Sequence, residues 1–430
     1  MGSTLYIPRA EYPTSPNATV VVSKMAKILF LAHRIPYPPN KGDKLRAYQV
    51  LCHWAQRHDV FLGCFIDNPD DLQHRDLLSE LCVGTYFVRL HPKLALVRSS
   101  AALLTGDPLS VLYYRDRGLT AWVRRVLSAE KPDCAFAFSS VMGQYFLDTA
   151  SPPLRLLVDF VDVDSEKWRE YAARKTFPAR QIYRREARKL LEFDRRVAAK
   201  ADASIFVSEA EAELFRKRGP ELSEKIVAIP NGVDTAYFSP RNAGQNLNFG
   251  GKPVIVFTGQ MDYWPNVDAV LWFSETILPN LRTKFPDATF YIVGGKPSAA
   301  VRALGLRPGI VVVGQVPDVR PYVGNADVVV APLRIGRGIQ NKVLEGMAMA
   351  RPVIVTPQAL EGIDALPDTH VLVASDSAGY VRDVERIIDP VFAKSVGTAA
   401  RKRVLERYNW ADSLAKYDRL LEVTPREAIE

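Results

Sequence analysis

The chain has 430 residues, 47% of them hydrophobic and 24% charged, enough to bury large cores without disulfide staples. That composition excludes a disordered polymer, a collagen-like fibre and a small cysteine-rich scaffold. Lys and Arg number 56 against 48 Asp and Glu, a net +8 that points to anionic partners such as phosphate or an acidic membrane surface.

Residues 1–24 are rich in Pro, Ser and Thr and lack the basic-then-apolar pattern of a signal peptide, so residues 1–26 read as a disordered tail, with Met25 a candidate start. No run approaches the length of a membrane-spanning helix, and a cytoplasmic location is expected. Cys52, Cys64, Cys82 and Cys134 form no CxxC pair and sit mostly in apolar runs, as small buried hydrophobes in a reducing compartment do.

From Lys27 onward, short apolar runs bounded by turn residues alternate with helical stretches. The runs at 27–32, 59–66, 133–138, 154–160 and 203–208 predict parallel strands covered on both faces. Leu45, Tyr48, Leu51 and Trp54 form a helical stripe between the first two. The pattern restarts at 225–234 and passes a Pro/Gly/Asn-rich stretch at 240–253. Further predicted strands follow at 253–259, 288–295, 309–314, 326–332, 351–356 and 369–374. The fold class is α/β, with two doubly wound halves of about equal length whose carboxyl edges face a central cleft. The expected domains are 27–222 and 223–410, with a helix at 411–430 packing back on the first.

Several segments carry candidate chemistry. In HRIPYPPNKGDKLR (33–46), three prolines stiffen a loop, Gly42 permits close approach, and a helix opens beside Asp43. Lys41, Lys44 and Arg46 add charge suited to phosphate. Asp43 as a simple helix cap is the structural alternative. In APLRIGRGIQNKVLEGMAMARPVIVT (331–356), a strand ends, a Gly-x-Gly loop follows, and a helix starts near Ile339. Lys342 and Glu345 share a face there, suited to a diphosphate and to ribose hydroxyls, or else to an ordinary i,i+3 ion pair. In FTGQMDYWPNVDAV (257–270), Gly259 ends a strand and Asp262 or Asn266 is placed to cap the next helix. Tyr263 and Trp264 there either line the cleft or pack.

Together, IPNGVDTAYFSP, FTGQMDYWPNVDAVLWF and KVLEGMAMARPVIVT resemble the hallmarks of retaining GT-B glycosyltransferases of the GT4 type. LAHRIPYPPNKGDKLRAYQVL and VDFVDVDSEKW more narrowly resemble the sugar transferases of PEP-CTERM/exosortase exopolysaccharide systems. The resemblance runs from about Lys27 to the terminal helix. It implies a GT-B fold and a nucleotide-sugar donor site that includes Gly42, Gly259, Gly294, Val316, Gly338, Ile339, Lys342 and Glu345. Glu345 matches the second Glu of the family's Glu-x7-Glu, whereas Arg337 stands where the first would be. Sugar contacts then fall to backbone N–H groups of Gly338 and Ile339, and the diphosphate to Lys342, Arg337 or the Lys41–Gly42 loop.

Where many relatives have a His, the strand end here offers Asp159, Asp162 and Asp164, and another offers Ser139 and Ser140. Asp162 or Asp164 is the candidate to orient the acceptor hydroxyl; capping of the next helix is the alternative. The implied chemistry is same-face transfer with retention, needing no metal and no cofactor, with VDVDS (161–165) the segment to test for a metal. The implied acceptor is a surface saccharide or its lipid-linked precursor. A catalytically silent nucleotide-binding scaffold and a GT-B epimerase are the alternatives. Eight Lys/Arg fall within 180–200, where Ile182, Leu190, Leu191 and Phe193 are expected to face the core. With Lys93 and Arg98 among the leucines of 90–104, they suggest peripheral contact with anionic membrane. No nucleic-acid-reading motif accompanies them.

Overall fold

A computed structural model describes residues 25–422 except 40, 150–154, 174, 246 and 337, and excluding the side chain of Leu104. The expected tail lies outside the described residues but for Met25 and Ala26. The chain forms two compact units, one running to Pro230 and resuming at Leu414, the other spanning Asn231–Ser413.

The first unit is built on seven parallel strands: β1 (Lys27–Ala32), β2 (Asp59–Ile66), β3 (Gly84–Arg89), β4 (Cys134–Phe138), β5 (Arg155–Val161), β6 (Ala203–Phe206) and β7 (Ile226–Ala228), in the order β3-β2-β1-β4-β5-β6-β7. β1 is central because its run is apolar on both faces. Leu29 pairs with Phe61 on one side and Ala135 on the other, and helices bury both surfaces of the sheet. Two strands were not anticipated as such. β3, GTYFVR, is only partly buried and lacks a continuous aliphatic run. β7 pairs with β6 in this sheet, so the expected boundary at 223 falls before the first unit's last strand.

The final helix, Trp410–Leu421, ends against the first unit. Its Asp418 carboxylate meets His53 Nε2 at 2.8 Å and accepts from Trp54 Nε1 at 3.2 Å, while the buried Tyr417 hydroxyl donates to Asp159.

The second unit carries six parallel strands: β8 (Val254–Thr258), β9 (Thr289–Val293), β10 (Ile310–Gly314), β11 (Val328–Ala331), β12 (Val353–Val355) and β13 (Leu372–Val373), in the order β10-β9-β8-β11-β12-β13. Val256, Phe257, Ile292, Val329 and Ile354 form its inner layer, fully or almost fully buried. Each sheet grows outward for three strands and then adds its fourth on the other side of the first. The order therefore reverses between β1 and β4 and between β8 and β11, where open α/β sheets bind ligands at the carboxyl edge.

Candidate functional site

In the second unit, the reversal point is bordered by the loops after β8 and β11. Gly259 follows β8 and Gly294 follows β9, both with φ of 154°, a backbone that side chains rarely adopt. A Cβ on Gly294 would stand 1.7 Å from the Gly259 carbonyl oxygen. One on Gly259 would stand 2.7 Å from Asn266 Nδ2 and 3.3 Å from Lys342 Nζ. Glycine at both positions lets the two strand ends close on each other, stitched by the Gly259 N–H donating to Val293 and the Met261 N–H to Gly295.

After β11 the helix Asn341–Ala348 begins with no side-chain cap, two residues later than expected. Lys342 lies in its first turn and turns back toward Gly259. Its Nζ donates to Asn266 Oδ1 at 2.7 Å and sits 4.6 Å from the centroid of the Phe257 ring. Asn266, nearly buried, is held in turn by donating from Nδ2 to the Gln260 carbonyl at 2.9 Å. Neither Asp262 nor Asn266 caps the helix Trp264–Trp272, which is preceded by Tyr263; Asn266 instead bridges the two loops.

The alternative of an ordinary Lys342–Glu345 ion pair is corrected by this geometry: among the described residues the two form no salt bridge within 4 Å, although each feels the other's charge. Lys342 spends its hydrogen bond on a neutral amide. Burial lowers the Lys342 ammonium to about 8, against the pull of the Glu345 charge. Burial raises the Glu345 carboxyl to about 7, against the pull of Lys342. A cation and a carboxyl held partly desolvated, without each other for a close partner, are suited to a ligand that supplies both an anion and hydroxyl donors.

Gly338 has φ of 65° and precedes a partly buried Ile339 that packs on the core; Val316, after β10, does likewise. Arg337 lies outside the described residues. Tyr263 and Trp264, 53% and 39% exposed, stand at the start of the helix that carries Asn266.

The first unit's edge differs from expectation. Gly42 opens the helix Gly42–Ala55, whose N-terminus has no side-chain cap. Asp43 is not a cap. It accepts from Arg34 Nη1 at 2.8 Å and meets His33 Nε2 at 3.5 Å. Burial alone would raise its carboxyl, but these partners hold it well below the usual carboxylate range. Lys44 and Arg46 do not reach a phosphate site. Lys44 is buried against Asp71 at 2.5 Å, and Arg46, fully buried, pairs with Asp159 at 2.8 Å and donates to the Ile229 carbonyl. They lie on the inward face of the helix, and Asp159 is committed to the Arg46 and Tyr417 contacts.

Asp162 and Asp164 are brought together by Lys167, whose Nζ is 2.8 Å from one carboxylate and 2.9 Å from the other. An ammonium thus occupies the space between the two acidic groups of VDVDS. The second oxygen of Asp162 is buried without a partner among the described residues. Among the described residues, no group of three or more His, Cys, Asp or Glu is arranged to hold a metal ion. Ser139, with φ of 76°, ends β4 nearby, and Ser140 hydrogen-bonds the buried Asp194, whose carboxyl burial pushes well up.

Two contacts at these edges escaped sequence reasoning. Asn266 was expected only as a candidate helix cap, and nothing in YWPN signalled its hydrogen bond to Lys342. His33 directly follows β1 at the reversal point, where it stacks on Phe138 and meets the edge of Tyr114; its position after the first strand was the available clue.

Comparison with known proteins agrees with this layout. Residues 44–232 match the glycosyl transferase 4-like domain, and residues 252–389 match the family of glycosyl transferases group 1. Over 251 residues the chain is 26% identical to the GDP-mannose-dependent alpha-(1-6)-phosphatidylinositol monomannoside mannosyltransferase of Mycolicibacterium smegmatis. The match takes in 53% of this chain and 64% of the length of that relative. Among solved structures, HepE of Anabaena in complex with UDP and glucose superposes with a TM-score of 0.66 at 16% identity, covering 92% of this chain and 99% of the other. The sucrose-phosphate synthase of Thermosynechococcus elongatus gives 0.66 at 18% identity over 92% and 98%. WaaG, a glycosyltransferase involved in lipopolysaccharide biosynthesis, gives 0.63 at 17% identity over 92% and 100%. The fold is that of the GT-B glycosyltransferases, and along the chain a match to the glycosyl transferase 4-like domain is followed by a match to the glycosyl transferases group 1 family.

Proposed function

We propose that this chain transfers a sugar from a UDP- or GDP-sugar to a saccharide or lipid-linked saccharide acceptor, with retention of configuration. The observation that carries the reading is Lys342: a partly desolvated ammonium beside Gly259, oriented by a neutral amide and an aromatic face rather than neutralised by a carboxylate. Its charge is therefore available to an incoming diphosphate, and the uncapped helix start at Asn341 adds partial positive charge. Glu345, one turn on, accepts the ribose hydroxyls. The backbone around Gly338 and Ile339 holds the sugar, and the loops at Gly294 and Val316 hold the base. The mannosyltransferase relative, named for GDP-mannose, and HepE, solved with UDP and glucose, support a nucleotide-sugar donor.

In this reading the acceptor hydroxyl attacks the sugar on the face the diphosphate leaves. The departing phosphate takes the hydroxyl proton while Lys342 stabilises its growing charge, an electrostatic contribution present before the reaction begins. The first unit serves the acceptor. Asp162 or Asp164 orients the attacking hydroxyl, with Lys167 fixing the carboxylates. In this reading the product is an exopolysaccharide or its lipid-linked precursor, made at the cytoplasmic face of the membrane; the N-terminal sequence resemblance supports it. The test is release of nucleoside diphosphate from UDP-glucose and GDP-mannose in the presence and absence of lipid-linked saccharide. Release that requires acceptor supports transfer. Binding without release points to a silent scaffold, and conversion of the donor without acceptor points to an epimerase.

A further inference from the structure

The basic helix Ala179–Lys200 is in part committed to the protein itself: Lys189 pairs with Glu192, Arg195 with Glu221, and Lys200 donates to the Leu147 carbonyl. Ile182, expected in the core, is exposed. The carboxyl edge of the second sheet holds polar groups with no such commitment. Its adjacent strands β10, β9 and β8 run out into Gly314, Gly294 and Gly259, and the next residues are Gln315, Gly295 and Gln260. The backbone of this row favours glycine: Gly314 has φ of 81°, and Gly259 and Gly294 have φ of 154°.

The three strand ends are tied to one another through the backbone. The Gly294 N–H donates to the Gly314 carbonyl at 2.8 Å, the Met261 N–H to Gly295 at 2.8 Å, and the Ser298 N–H to Met261 at 3.2 Å. Gly295 is therefore a fixed, buried floor with no side chain, flanked by a glutamine on each side. Both glutamines lean over it. A Cβ built on Gly295 would stand 3.1 Å from Gln260 Oε1 and 3.4 Å from Gln315 Oε1, so the two carboxamide oxygens converge on one notch. Among the described residues neither carboxamide has a hydrogen-bond partner in the protein; Gln260 is half-buried and Gln315 exposed.

The chemistry of the notch selects its ligand. Neutral side-chain oxygens do not suit a phosphate, which needs donors and positive charge; they suit a heterocycle that presents N–H groups at its edge. The diphosphate has its own ammonium in Lys342, whose Nζ lies beside Gly259 in the same row. Guanine offers an acceptor and then two neighbouring donors, O6, N1–H and the 2-amino group, whereas uracil offers one N–H between two carbonyl oxygens. Two converging oxygens are both satisfied by guanine, but against uracil one of them meets another acceptor, which costs binding. We propose that Gln260 and Gln315 select the base of the donor by accepting from N1–H and the 2-amino group of guanine, which makes this a site for a GDP-sugar rather than a UDP-sugar. Base selection of this kind presupposes the nucleotide-sugar donor site at Lys342 and narrows it to one base.

The test is isothermal titration calorimetry of the full chain with GDP, with inosine diphosphate, which lacks only the 2-amino group, and with UDP. Wild type should bind GDP about tenfold more tightly than inosine diphosphate, and with at least that margin over UDP. Gln260→Met/Gln315→Met keeps the shape of the side chains and removes the carboxamides. It should bind GDP about tenfold more weakly and UDP nearly as before, so that the preference disappears. Should that pair not fold, Gln315→Met alone, at an exposed position, should still weaken GDP several-fold with UDP unchanged. Equal affinity of wild type for GDP and either of the other two, or a GDP preference kept by the variants, would overturn base selection. If Lys342→Ala then weakens all three alike, the donor site stands and only base selection falls, whereas no binding of any nucleotide sinks both.

Discussion

Replacing Glu345 by Gln should make the protein more stable at alkaline pH while removing a donor contact. Burial raises the Glu345 carboxyl from 4.5 to about 7, so the folded chain keeps a proton that the unfolded chain has released between those values. Stability contributed by this group is therefore highest in acid and falls as pH rises from about 4.5 to about 7. At about 1.4 kcal/mol per tenfold change in proton affinity, the full displacement corresponds to about 3 kcal/mol. Solvent reaching the partly buried site and relaxation of the loop reduce the expected effect to about 1–2 kcal/mol. Urea unfolding of wild type and Glu345→Gln at pH 5 and pH 8.5 measures it. The two proteins should be nearly equal at the lower pH, with the variant more stable at the higher. A variant that is equally or less stable than wild type at pH 8.5, relative to pH 5, would refute the argument that this carboxylate is held at the site against its own solvation.

Other expected outcomes follow from single contacts. Asn266→Ala removes the neutral acceptor of Lys342, a hydrogen bond to a charged group worth about 1.5–3 kcal/mol, and should weaken nucleoside diphosphate binding about tenfold or more by calorimetry. Gly294→Ala drives a methyl into the Gly259 carbonyl and should destabilise the second unit by more than about 3 kcal/mol, read from the urea midpoint. Arg46→Met leaves Asp159 buried without its guanidinium and should cost about 3–5 kcal/mol, with Arg46→Met/Asp159→Leu recovering much of it. Asp162→Asn should lower turnover without altering donor affinity; unchanged turnover would remove Asp162 as the acceptor-orienting group.

The strands were legible because a buried parallel strand is a continuous apolar run. The expected ranges for β1 and β2 coincide with those observed, and most others differ by one or two residues at each end. β3 was not legible because it is half-buried and carries Gly, Thr and Arg, and β7 because a three-residue edge strand leaves almost no pattern. The positions of Gly259 and Gly294 at strand ends and of Lys342 in the first turn of a helix could be read from motif order. What the sequence could not disclose was which charges are already spent. Lys44 and Arg46 sit in a loop that looks ready for phosphate, yet their partners, Asp71 and Asp159, are 27 and 113 residues away. Lys167, which joins Asp162 to Asp164, was hidden for the same reason: a charge pair is defined by rotamers and packing, not by spacing.

The most direct test of the donor-site assignment is a thermal-shift panel of UDP- and GDP-sugars on wild type and Lys342→Ala. A ligand that binds only the folded chain raises Tm by mass action, about 2.7 kcal/mol at one hundred times Kd. Wild type should show a clear rise with at least one nucleotide sugar, and Lys342→Ala little or none. No shift with any of them, or the same shift in both proteins, would contradict the assignment.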